Sequence, residues 1–255
     1  RRWRRWSNST TAAALPSSSE PSPRPSRLGR TLRTWQASTG TWSSESQSWA
    51  SSPTRQYPNQ LLPLAVLLHE YRVESYLEIG VAAGGTFTLL CELLAAWAAE
   101  DSPRAPFRAL GCDPAPPGCV SYLSTNPYQK RFADWLAATP AAEYRQEFSE
   151  FLERSFQRRK LPPPHFDCVL VDGDHSYEGC WADIQMALRL QAGIVILHDV
   201  VNAECPGVCE AWAGAQRTLS EEFDFVEFSA QYESVERGPD ERFLGIGEIG
   251  RASCR

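Results

Sequence analysis

From Tyr57 onward the chain alternates apolar runs of strand length with stretches whose apolar residues recur every three or four positions. That alternation admits few folds. Short, continuously apolar strands must be covered on both faces, and the segments available to cover them are the helices between them. The outcome is a mostly parallel sheet inside two helical layers. Strands are expected at Ser75–Ile79 (SYLEI), Phe107–Cys112 (FRALGC), Phe166–Val171 (FDCVLV), Gly193–Leu197 (GIVIL), Phe223–Phe228 and Phe243–Gly247, with a weaker one at Glu143–Phe148. Helices are expected at Leu61–Arg72, Thr86–Glu100, Gln129–Ala138, Glu150–Gln157, Trp181–Gln191 and Val208–Glu222. No internal repeat is present.

The first 57 residues differ in kind. They are rich in Ser, Thr, Arg and Pro and nearly devoid of Ile and Val, so they bury too little surface to offset chain entropy, and no stable fold is expected there. Residues 58–250 are then one folded domain and 251–255 a short tail. Residues 1–35 hold eight arginines and one acid, Glu20, which leaves the rest of a chain of net charge −6 clearly acidic. An acidic domain argues against nucleic acid as the main partner. The Arg- and Ser-rich, acid-poor start has the composition of an organelle transit peptide, which would direct the protein to a plastid or mitochondrion; a leader that is not used is the alternative. The eight cysteines form no C-x-x-C and no regular framework, so a reducing, intracellular setting is expected. Cys205 and Cys209, one helical turn apart, read as small buried apolar side chains. No apolar stretch approaches the roughly 18 residues that span a bilayer, so a soluble protein without membrane association is expected.

Ligands of open α/β sheets sit beyond the carboxyl ends of the strands, which makes the residues after each strand the ones to inspect. After the first strand runs Glu78-Ile79-Gly80-Val81-Ala82-Ala83-Gly84-Gly85. Gly80 permits a tight turn, and Gly84 or Gly85 permits close backbone approach to a ligand. The spacing differs from the G-x-G-x-x-G that seats a dinucleotide pyrophosphate, so a ligand without phosphates fits better. The second strand ends in Asp113, whose carboxylate can accept two hydrogen bonds from a ribose diol. After the fourth strand comes DGDHSYEG, and after the fifth HDVVN.

The segments YLEIGVAAGGTF, LGCDP, FDCVLVDGDHSYEGCWADI, GIVILHDV and FLGIGEIG resemble class I S-adenosylmethionine-dependent methyltransferases, specifically the family-24 methyltransferase domain. The resemblance covers about residues 60–250. It implies a Rossmann-like, seven-stranded, mostly parallel sheet with helices on both faces and an antiparallel last strand. It also implies that Glu78, Gly80 and Gly84, with Gly85 beside them, lie at the methionine end of the cofactor, that Asp113 holds the ribose, and that Asp172 belongs to the cofactor site. Related sugar and catechol O-methyltransferases bind a divalent metal through acids at the positions of Asp172 and Asp199, and His175 matches a general base used by some sugar O-methyltransferases. The metal pattern is incomplete, because Asp199 is flanked by His198 and Val200 where relatives often carry a second acid or Asn.

From the residues themselves, Asp172, Asp174, His175, His198 and Asp199 put three carboxylates and two imidazoles at the ends of neighbouring strands, a costly concentration of charge unless it meets solvent, a metal or a substrate. Mg²⁺ or another divalent cation would accept such oxygens, and His175 could take a proton at neutral pH. Alternatively His175 or Asp174 caps the next helix. Tyr177 and Trp181 read as packing residues, and Ser149 lies where an adenine would be. The expected function is O-methylation of a small hydroxylated acceptor such as a sugar or polyol. A nicotinamide-dependent oxidoreductase, a non-catalytic binding module and a metal hydrolase remain as alternatives.

Overall fold

The structure, a computed structural model, describes residues 58–101, 107–115, 127–158, 165–230 and 244–251. All of these belong to one compact unit, Trp42–Arg255. The segment 1–57, expected to lack a fold, and residues 252–255 lie outside the described residues.

The elements follow in the order α1 (Pro58–Glu70), β1 (Ser75–Ile79), α2 (Gly85–Asp101), β2 (Arg108–Cys112), α3 (Pro127–Ala138), β3 (Ala142–Arg145), α4 (Leu152–Arg158), β4 (Cys168–Val171), α5 (Tyr177–Arg189), β5 (Ile194–His198), α6 (Pro206–Leu219), β6 (Phe223–Phe228) and β7 (Ile246–Arg251). They build a single seven-stranded sheet in the order β3-β2-β1-β4-β5-β7-β6. The pairs from β3 to β5 are parallel, and β7 runs antiparallel to both β5 and β6. This is the Rossmann-like arrangement expected, with the last strand reversed.

Every residue of β1, β4 and β5 is buried, which is why these strands read as continuous apolar runs. Leu77 and Ile79 face the same side as Leu110, Cys112, Val169, Val171, Val195 and Leu197, where Ile184 and Ala187 of α5 and Val208, Ala211 and Trp212 of α6 complete one core layer. Tyr76 points to the opposite side and stacks on Phe87 of α2.

Most boundaries shift by a few residues from expectation, and three of the shifts have a clear local cause. α5 begins at Tyr177 rather than Trp181, because Ser176 is its N-cap and its hydroxyl accepts the Gly179 N–H at 3.1 Å. α6 begins at Pro206, a first-turn proline whose missing N–H costs nothing there. β7 runs to Arg251 rather than ending at Gly247, since its register is set by pairing on both edges, with Ile246 opposite both His198 and Phe228.

Candidate active site

The chain leaves β1 for β2 and β3 on one side and returns to place β4 and β5 on the other. The carboxyl ends of β1 and β4 therefore flank the topological switch point, where open α/β sheets open a ligand crevice. The sequence-predicted residues gather there. A Cβ at Gly80 (φ +85°) would run into the carbonyl of Asp172, so this position must be glycine for the turn after β1 to lie against the end of β4. The Asp172 N–H donates to the Ile79 carbonyl at 2.8 Å, which closes the same junction.

Asp113, 9% exposed, holds the loop after β1 from the other side. Its Oδ2 accepts the N–H groups of Val81 (3.0 Å) and Ala82 (2.8 Å), and its Oδ1 accepts that of Ala115 (2.8 Å). The carboxylate expected to meet a ribose is thus first an organiser of the glycine loop. Gly84 (φ +82°) lies under the ring of Phe132 from α3, and Gly85 opens α2. Glu78 is fully enclosed and accepts the hydroxyl of Tyr76. Burial pushes its pKa well up, against the hydrogen bond from Tyr76, and Asp172 adds to the rise.

Beyond β4 and β5 the titratable groups converge on Asp199. This residue, 4% exposed, adopts the left-handed backbone (φ +63°), a conformation rare for a residue with a side chain and concentrated at functional sites. Its Oδ1 accepts the amide of Asn202 at 2.9 Å. Its Oδ2 lies 3.1 Å from His198 Nδ1, 3.7 Å from His175 Nε2 and 3.6 Å from the thiol of Cys205. His198 Nδ1 is also 3.4 Å from Asp172 Oδ1, so the buried imidazole stands between the two carboxylates expected to share a metal. Burial alone would lower the His198 pKa; Asp172, Asp199 and Glu78 together outweigh it and raise it to about 9. Burial would raise that of Asp199, but the contacts with His198, Asn202 and His175 bring it down to about 2.

His175 lies at the mouth of this group with its side chain 45% exposed. Its Nε2 is 3.3 Å from Asp172 Oδ1, a contact that raises its pKa against the effect of burial. Its Nδ1 is 3.4 Å from the thiol of Cys205. His175 does not cap α5; Ser176 does, and Asp174 Oδ1 accepts the Ser176 N–H at 2.8 Å. Tyr177 and Trp181 stack in parallel and pack against the core, as expected of packing residues. Ser149 hydrogen-bonds Asp183, a buried carboxyl on α5. Cys205 and Asn202 escaped the sequence reading. Cys205 is buried as expected, yet it joins the polar cluster, and Cys209 reaches the Asp199 and Asn202 carbonyls. The one sequence signal was Pro206-Gly207, which marks the start of α6 and so turns the preceding residues back over β5.

Residues 77–200 match the family-24 methyltransferase domain, a span that holds β1 to β5 and Asp113, Asp172, His175 and Asp199. Over these residues, just under half of its length, the chain carries a methyltransferase domain. A search of curated proteins finds no match. Among solved structures, the O-methyltransferase TomG from Streptomyces achromogenes, in complex with S-adenosylmethionine, is 15% identical with a TM-score of 0.51, covering 87% of this chain and 96% of that one. An O-methyltransferase from Bacillus cereus in complex with S-adenosylhomocysteine is 15% identical with a TM-score of 0.48, covering 90% and 93%. At such identity the likeness to TomG concerns the fold of the methyltransferase domain alone. No described helix of the domain is long and apolar enough to cross a membrane.

Proposed function

We propose that the domain transfers the methyl group of S-adenosylmethionine to a hydroxyl of a small molecule, with His175 as the general base. The observation that carries this reading is the charge of the crevice. Asp113, Asp172 and Asp199 lie about the switch point, with His175 and His198 beside the last two, Glu78 is held toward its neutral form, and among the described residues no Lys or Arg meets these carboxylates. Such a site suits a cationic ligand and disfavours the pyrophosphate of a nicotinamide dinucleotide. When bound, S-adenosylmethionine supplies a methyl already activated by its sulfonium, so the protein has only to position the acceptor and remove its proton.

With Nε2–H directed at Asp172 Oδ1, Nδ1 of His175 carries the lone pair. The acceptor hydroxyl would displace the weak contact with the Cys205 thiol and pass its proton to Nδ1 as its oxygen gains the methyl. Asp172 then faces the resulting imidazolium and stabilises it. The acceptor class, a sugar or polyol hydroxyl, is carried from the sequence resemblance, and TomG is an O-methyltransferase.

A hard cation such as Mg²⁺ does not fit the cluster. Mg²⁺ demands an octahedron of oxygens, whereas Asp199 Oδ1 is held by Asn202 and the neighbours of its Oδ2 are two imidazoles and a thiol. Methyl transfer is therefore assigned to the side chains alone. The test is calorimetry with S-adenosylmethionine, followed by mass-spectrometric detection of S-adenosylhomocysteine formed with a panel of hydroxylated acceptors in chelator. Binding and turnover are expected. A thermal shift by nicotinamide dinucleotides, with none by S-adenosylmethionine, would overturn the reading.

A further inference from the structure

We infer that Asn202 is a positioning residue for the proposed base: through Asp199 and Cys205 it sets groups that meet both ring nitrogens of His175. The inference rests on the methyl-transfer reading only for its consequence in turnover, and its geometry stands without it. Asn202 lies in the turn between β5 and α6 and is 4% exposed. Its side chain has two tasks. Oδ1 accepts the Glu204 N–H at 3.0 Å, which shapes the turn. Nδ2 donates to Asp199 Oδ1 at 2.9 Å and reaches the Cys205 sulfur at 3.6 Å. The backbone repeats the link, since the Asn202 N–H donates to the Asp199 carbonyl at 3.1 Å and the Cys205 N–H donates to the Asn202 carbonyl at 2.9 Å.

The turn by itself needs only the first task, which Asp or Ser would perform as well. The amide donor is what Asn adds, and it is directed at the cluster. With Oδ1 of Asp199 held, Oδ2 is left to His198 Nδ1 at 3.1 Å and His175 Nε2 at 3.7 Å. Asp172 Oδ1 meets the same Nε2 at 3.3 Å, so two carboxylates keep the proton on that nitrogen. On the other side of the ring the Cys205 thiol lies 3.4 Å from Nδ1. Because the Asn202 amide engages the sulfur, the S–H is left to donate, and Nδ1 of His175 and Oδ2 of Asp199 are its acceptors. Both arrangements leave Nδ1 the acceptor nitrogen, as a base requires. The His175 side chain is 45% exposed, so packing does not fix its ring and these polar contacts must. Without the amide, the Asp199 carboxylate is free to turn and the thiol loses its direction, and the ring then samples both tautomers.

The test uses the full chain and two variants. Asn202→Ala removes the whole side chain beyond Cβ; Asn202→Asp keeps an acceptor for the Glu204 N–H and removes the amide donor, so the turn stays capped if the alanine variant does not fold. Histidine side-chain ¹H–¹⁵N correlation spectra, at a pH where the ring is neutral, report the tautomer, and His175→Ala assigns the signal. Wild-type His175 should show a protonated Nε2 and an unprotonated Nδ1, and both variants should move the two ¹⁵N shifts toward each other. In kinetics both should lower kcat by about tenfold to a hundredfold, with acceptor KM and S-adenosylmethionine affinity within about twofold of wild type. In the His175→Ala background either substitution should change the residual turnover by less than about twofold, because its effect passes through that ring. Unchanged His175 signals in a folded variant would overturn the inference, and so would a loss of turnover that adds to that of His175→Ala. The spectra need no turnover, so a protein that failed to transfer methyl groups would sink the earlier reading and leave this one to be decided by them.

Discussion

A Cβ placed on Gly207 would fall 2.6 Å from the carbonyl oxygen of His175, so the first turn of α6 is pressed directly onto the backbone of the loop that carries the proposed base. Helix propensity alone would make Gly207→Ala stabilising by about 1 kcal/mol. The contact reverses that sign, since neither backbone can yield without moving the His175 loop, and overpacking of this kind costs roughly 1–3 kcal/mol. Gly207→Ala is therefore expected to lower the melting temperature and to reduce turnover more than cofactor affinity. Differential scanning fluorimetry with steady-state kinetics checks both, and an unchanged or raised melting temperature would show that α6 does not bear on the loop.

His175→Ala should bind S-adenosylmethionine with near wild-type affinity while losing turnover by about 10²–10⁴-fold. Asp172→Asn should lose less, because it keeps a hydrogen-bond acceptor for His175 and removes only the charge that supports the imidazolium. Single-turnover formation of S-adenosylhomocysteine separates chemistry from binding. Equal activity in His175→Ala and wild type would remove the base from this site.

Much of the fold was legible because burial on both faces leaves a plain trace: β1 lies at the residues where its apolar run begins and ends. The reversed strand β7 was harder to place. Its segment Gly245-Ile246-Gly247-Glu248-Ile249-Gly250 has glycine at three of its six positions, and long-range pairing rather than composition decides its register. The site was legible where it follows strand ends, as at Glu78, Asp113, Asp172 and Asp199. Cys205 was not, since it stands 30 residues from His175 in the chain and only the packing of α6 on the loop brings the two together.

The threefold engagement of Asp113 predicts a coupled loss. Asp113→Ala strands the Val81, Ala82 and Ala115 N–H groups, and hydrogen bonds to a charged acceptor contribute about 1.5–3 kcal/mol each, non-additively. Stability and S-adenosylmethionine affinity should fall together, and Asp113→Asn, which retains the acceptor oxygen on one side, should recover part of both. Calorimetry and thermal denaturation measured in parallel decide. Lost affinity with full stability would mean that Asp113 serves the ligand and not the loop.

Asp183 offers a test of burial itself. It is 4% exposed on α5, and burial lifts its pKa to about 6, with Asp174 adding to the rise and the hydrogen bond from Ser149 opposing it. A carboxyl whose folded pKa exceeds its unfolded value near 3.9 binds more protons folded than unfolded between those two values. Its contribution is fully present below about pH 4 and is lost as pH rises through 6. A displacement of about two pH units corresponds to roughly 3 kcal/mol. Asp183→Asn keeps the shape and an acceptor for Ser149 but carries no charge to desolvate. The variant should therefore be more stable than wild type at pH 8, by up to about 3 kcal/mol, with the difference vanishing near pH 4. Urea denaturation of both proteins across pH 4–8 measures it. A difference that is independent of pH would show that Asp183 is not held against its charged form, and that Ser149 or water already meets the cost of ionising it.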